Sequence, residues 1–161
     1  MATIGHGRRF VISSEIVVGR SLLVVVEPGE PLMTTLVAAC GDHGIRQGYL
    51  PVFLGAFSTV GLIGTCRPVA DPDTPISDAV WLDNVEGAGS GTLCVDPQRG
   101  ETVLHLHAAV GLKQYAANGY AGHVLEATVQ YVAEIVVQEV IEPQLTRQVH
   151  PRSHGLPILH F

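Results

Sequence analysis

Two histidines separated by one residue, His105-Leu106-His107, lie in a β-patterned segment, and Gly122-His123 begins the next one. Side chains alternate along a strand, so His105 and His107 project from the same face. A short connection returns the chain and can set His123 beside them. Three converging imidazoles make a site for a divalent metal ion, since imidazole nitrogen suits zinc, copper, iron and nickel. Three protein ligands leave one coordination position open. Strand parity adds a condition. His123 falls on the apolar face of its own strand with Leu125, Ala127 and Val129, so a bulge at Gly122, or a subunit interface, is needed to bring it to the other two. The bland alternative is that these histidines are packed side chains bonded to backbone carbonyls.

Glu126 is the acidic residue nearest to the trio in sequence. It is the candidate general base for a metal-dependent, hydrolase-like reaction; the competing role is a solvated or supporting carboxylate. On an ideal strand Glu126 and His123 face opposite ways. The His-x-His pair is also found in cupins, but the residues that follow, Ala108-Ala109-Val110-Gly111-Leu112, supply no acid. The sequence holds no phosphate-binding glycine loop, no dinucleotide fingerprint, no nucleophile elbow and no Cys-x-x-Cys pair. His43 reads as a helix-end residue, favourable at the negative end of the dipole; His6, His150, His154 and His160 are scattered.

The elements that must position the trio are mostly strands. Residues 8–27 are strand-like and end at Pro28-Gly29. The helix over about residues 31–43 opens at Glu30-Pro31, because proline is tolerated at a helix start. Leu32, Leu36 and Cys40 repeat every four residues to give one apolar stripe, and Gly41 and Gly44 end it. Ile45 to Thr65 reads as two strands with a bend or bulge near Gly55. Residues 67–78 form a proline-rich loop. Val80–Val85 and Gly91–Val95 are short strands joined by a glycine-rich link, and Asp96 to Gly100 is a hairpin-type turn. Thr102–Val110 is the His-x-His strand. Asn118-Gly119 signals a turn, and Ala121–Val140 is the longest β stretch. This pattern fits a single α+β domain on a mixed or antiparallel sheet. Residues 1–19 read as an N-terminal strand or arm, and residues 142–161 as an extended C-terminal tail that could lie across a neighbouring subunit.

Composition sets bounds. The chain has 161 residues, enough for one domain with a real core. Only 15% are charged, against roughly a quarter in ordinary domains, so part of the surface is expected to be covered in an oligomer. The formal net charge of −6 has the wrong sign for a protein whose task is to hold nucleic-acid phosphates. Arg8, Arg9, Arg147 and Arg152 are the candidates for a basic patch, and they read as solvated chain ends. Three cysteines, Cys40, Cys66 and Cys94, cannot complete a disulfide framework. No secretory leader pattern opens the chain, and no apolar run reaches the ~18 residues of a membrane span. The expectation is a cytoplasmic protein with no membrane partner.

The chain resembles the plants-and-prokaryotes-conserved (PPC) domain, which also occurs in plant AT-hook nuclear proteins. The resemblance runs through Glu27-Pro28-Gly29-Glu30-Pro31-Leu32, through Cys40 to Gly48, through Gly55-Ala56-Phe57-Ser58 and through Glu86 to Leu93. It is most specific at Leu104-His105-Leu106-His107-Ala108 and Gly122-His123-Val124-Leu125-Glu126-Ala127. It spans about residues 20–141. It implies an α+β fold, a homotrimer, and a metal, most often zinc, held by His105, His107 and His123. It also carries a DNA-binding label, which makes DNA or a transcription-related role the alternative function. The chain departs from the plant pattern. It has no Arg-Gly-Arg-Pro hook, Val80-Trp81-Leu82-Asp83-Asn84-Val85 stands near where plant members have Gly-Arg-Phe-Glu-Ile-Leu, and Ala121-Gly122-His123 replaces Gly-Gly-His.

Overall fold

In the computed structural model, residues 11–65 and 76–161 are described. His6, Arg8, Arg9, Cys66 and residues 67–75 of the 67–78 loop lie outside them. The apolar stripe of Leu32, Leu36 and Cys40 is buried on helix α1 (Leu32–Asp42), with Pro31 at its N-cap and His43 at its C-cap. The helix stops in a Schellman arrangement: Gly44 N–H donates to the Gly41 carbonyl and Ile45 N–H to the Cys40 carbonyl, both at 2.8 Å. Before α1, Gly29 N–H donates to the Val129 carbonyl at 2.8 Å and Val129 N–H to the Glu30 carbonyl at 3.0 Å, which fixes the helix start to the sheet.

The strands are β1 (Val17–Val26), β2 (Gly48–Ile63), β3 (Val80–Val95), β4 (Thr102–Leu112), β5 (Tyr115–Glu142), β6 (Thr146–Val149) and β7 (Pro157–His160). They form one mixed sheet whose pairings are antiparallel except for Val95 of β3 against Thr146 of β6. One edge of β5 takes β2; the other takes β4 near its start and β1 near its end. Because β4 pairs with β3 as well as β5, the sheet curls into a closed path through β2, β3, β4 and β5. The core lies inside that curl, where Phe53, Phe57, Leu93, Leu106 and Ile135 are almost fully buried and α1 adds its stripe. Burying each such side chain contributes about 1.5–3 kcal/mol. No helix among the described residues is long and apolar enough to cross a membrane.

Two segments expected to break into pairs of strands do not. Ile45–Thr65 yields one strand, β2, and the irregularity near Gly55 belongs to its partner: β5 runs from Ala133 to Val129 while β2 runs from Gly55 to Phe57, and β2 keeps regular register with β3 there. Val80–Val95 is likewise continuous, because the glycines of the supposed link pair residue by residue with β4 and leave room for the core. A Cβ on Gly89 would run into the Phe53 ring and the His107 carbonyl. Asn118-Gly119 lies inside β5 rather than in a turn, with Gly119 opposite Gly111; the reversal falls at Lys113-Gln114. The Asp96 turn is as expected, with the Asp96 carboxylate accepting from Gln98 N–H at 2.8 Å. Beyond Glu142 the chain runs as the hairpin β6–β7 over its own β3. Gln47 anchors the start of this hairpin: its side-chain oxygen accepts from Leu145 N–H at 2.8 Å and its amide donates to the Val140 carbonyl at 2.9 Å. Leu145, Cys94 and Val140 bury together there in a small second cluster.

Candidate metal centre

On β4 the apolar residues Leu104, Leu106, Ala108 and Val110 turn inward and are buried. His105 and His107 therefore emerge on the outer face. Register then delivers the third ring, because His107 pairs directly with His123 across β4 and β5.

The parity obstacle is removed by a bulge, though not at the expected position. Against β2, Gly61 pairs with Glu126 and Leu62 with Val124, so β5 carries one extra residue, Leu125. Val124 and Ala127 are both buried, three residues apart, while Leu125 and Glu126 between them are exposed. The inside–outside alternation changes phase there, and His123 comes out on the face opposite Ala127 and Val129. Gly122 has a different role: a Cβ on it would lie 2.7 Å from the Ile63 carbonyl oxygen, so its lack of a side chain permits the close approach of β2.

The three imidazoles each offer one nitrogen, and these lie within 4.8 Å of one another. The His105 and His123 rings stack at 4.7 Å with 29° between planes. His107 stands edge-on, 5.0 Å from the first and 5.6 Å from the second. The buried Nδ1 of His123 finds no hydrogen-bond partner among the described residues. Half-burial pushes His105 down from 6.5 to about 4, helped by the nearby charge of Arg147 and by His123 and His107. His123 is lowered too, first by burial and then by His107 and Arg147. Both rings are thus held neutral, the form that ligates metal. An orphaned nitrogen, neutral rings and an all-imidazole donor set fit a divalent ion such as zinc.

Glu126 does not join the cluster, which consists of histidines alone among the described residues. Arg147, expected at a solvated chain end, is instead half-buried beside His105. Its Nη2 donates to His105 Nδ1 at 2.6 Å and to Thr92 Oγ1 at 2.9 Å, and its Nη1 donates to the Pro157 carbonyl at 3.2 Å. Tyr49, Ser90, Thr92, His105, His107 and Arg147 line a depression of about 500 Å³ over the centre. The sequence gives no local sign of Arg147 or Thr92. They reach the site only through the β3–β6 pairing and the β3–β4 register that puts Thr92 opposite His105.

The family model of the Plants and Prokaryotes Conserved (PCC) domain matches residues 13–141. The chain belongs to the PCC-domain family. Among solved structures it is similar to a plant- and prokaryote-conserved protein of Pyrococcus horikoshii, at 21% identity and TM-score 0.74 over 92% of this chain and 97% of that one. A metal-containing protein of Archaeoglobus fulgidus aligns at 17% identity and TM-score 0.74, covering 94% and 100%. A Bacteroides thetaiotaomicron protein described as a candidate DNA-binding protein aligns at 24% identity and TM-score 0.72, covering 91% and 97%. At these identities the three likenesses speak for the fold. No curated protein matches the chain at the sequence level. Arg147 and the β6–β7 hairpin lie beyond the PCC match.

Proposed function

We propose that this PCC-domain protein is a homotrimeric metal-binding protein whose centre, His105, His107 and His123, holds a divalent ion, most simply zinc. The observation that carries the reading is the convergence of three imidazole nitrogens within 4.8 Å, one of the rings having a buried nitrogen with no partner. Two strands and a bulge fix where the three rings stand. The ion would supply Lewis acidity at an open position facing the depression, and the protein binds a small ligand there.

The trimer is supported by the outer face of β1, β5 and β2. Leu23 and Val52 flank Val136, and Val25 and Leu54 flank Glu134, in rows across the three strands. Leu23, Val25, Val52 and Leu54 are all exposed in the single chain, Leu23 at 71%. An apolar face of this kind is a protein–protein surface. Cys40 and Cys94, buried without a disulfide, suit a reducing cytoplasm.

A DNA-binding role draws little from this surface. Arg147 is engaged within the centre, and Arg20 is paired with Glu139 at 3.0 Å. The deciding experiment is metal analysis of tag-free protein, with His105→Ala and His123→Ala beside it and light scattering for mass. About one ion per chain in the wild type, lost in both variants, is expected. Unchanged metal in the variants refutes the centre, and a monomeric mass refutes the trimer.

A further inference from the structure

Arg147 is a half-buried cation with nothing anionic to answer it. Among the described residues the ion pair formed is Arg20 with Glu139, and no carboxylate reaches Arg147. Its Nε is buried without a hydrogen-bond partner. An uncompensated charge in this position is unfavourable, and a divalent ion beside it would add two more positive charges. The metal cluster contains no carboxylate either.

The contact with His105 sharpens the point. Guanidinium nitrogens only donate, so His105 Nδ1 accepts from Arg147 and the ring proton sits on Nε2. A neutral imidazole has one free lone pair, and Arg147 occupies it. His105 can ligate an ion only after Arg147 lets go. The freed Nη2 then has Thr92 Oγ1 as its remaining hydrogen-bond partner, at the wall of the depression.

We propose that this centre takes a small carboxylate as its ligand, held jointly by the open position of the ion and by the fork of Arg147. The inference rests on the metal reading above. A carboxylate fits better than a rounder oxyanion because its two coplanar oxygens match the parallel N–H groups of a guanidinium. It also neutralises the charge that the protein leaves unanswered. Metal and carboxylate then assist each other: the carboxylate draws Arg147 away from His105, and the ion draws the carboxylate in.

The test is zinc affinity, measured by competition with a chromophoric chelator, with and without acetate, and with sulfate at equal ionic strength. Acetate is expected to tighten zinc binding by the wild type about tenfold, inside the roughly 5–150-fold range of ordinary site–site coupling, and sulfate is expected not to. Arg147→Gln should bind zinc at least as tightly as the wild type without acetate, because no cation competes for His105, and acetate should add nothing. Arg147→Lys, which keeps the charge without the fork, should retain only part of the enhancement. Equal enhancement by sulfate, or full enhancement in Arg147→Lys, overturns the carboxylate assignment. An acetate effect that survives Arg147→Gln, or weaker zinc binding in that variant, overturns the role of Arg147. Zinc that binds with no acetate effect sinks this inference alone; no zinc in either the wild type or Arg147→Gln sinks the metal reading with it.

Discussion

Acidifying the metal-free protein should destabilise it through His105, and His105→Gln should remove that part of the loss. The folded state holds this ring near pKa 4, whereas in the unfolded chain it returns to 6.5. Between those values the unfolded chain binds the proton and the folded chain refuses it, so the unfolded state carries more protons. Stability then rises with pH across the window and falls as pH drops from 6.5 toward about 4. At about 1.4 kcal/mol per pH unit the full displacement would be about 3 kcal/mol. The ring is only half-buried, so water and counterions screen it, and about 1–2 kcal/mol is the expected share. Gln is the right replacement because its side-chain oxygen still accepts from Arg147 but does not titrate. Urea unfolding in chelator, at one protein concentration and at about pH 7 and about pH 4.5, gives the comparison. The wild type should lose about 1–2 kcal/mol more than His105→Gln between the two pH values. Equal losses would mean that the folded chain does not resist protonation at His105, and the account of a neutral, pre-set donor would fail.

Other expectations follow from the packing. Gly89→Ala should destabilise by about 1–3 kcal/mol in urea unfolding, because its Cβ would meet the Phe53 ring and the His107 carbonyl; a neutral effect would show that β3 and β4 can part there. Leu106→Ala, between two proposed ligands but pointing into the core, should lower stability by about 2–5 kcal/mol and leave about one metal ion per chain; loss of metal from a folded variant would show that the two faces of β4 are not independent. Glu126→Gln should leave the metal content unchanged, since its carboxylate stands outside the histidine cluster; a fall in bound metal, by elemental analysis, would return Glu126 to the centre.

The parts of the fold that could be read from the chain are those where one local pattern decides. Leu32, Leu36 and Cys40 define the helix because a stripe at four-residue spacing has only one face to bury. His105 and His107 were readable as a same-face pair because β4 keeps strict alternation along Leu104, Leu106, Ala108 and Val110. Where glycines interrupted β2 and β3, breaks were expected, since a glycine weakens a strand locally. The continuous strands reflect tertiary pairing: the partners on both sides supply the hydrogen bonds, and Phe53 uses the space above Gly89.

The centre itself depends on two features that no local pattern reveals. One is a count: β5 spends one residue more than β2 between Val124 and Glu126, and that excess turns His123 toward His107. Parity asks for a bulge or a subunit interface, and the sequence does not say which residue would be extra, because Gly122 is the better local candidate and Leu125 looks like an ordinary inward residue. The other is a topological return: β6 comes back beside β3 and sets Arg147 against His105. Nothing in the aperiodic stretch from Pro143 onward announces that contact. Yet it changes the chemistry from three neutral imidazoles to three imidazoles with a cation, and on the reading proposed above that cation is what asks for a ligand of negative charge.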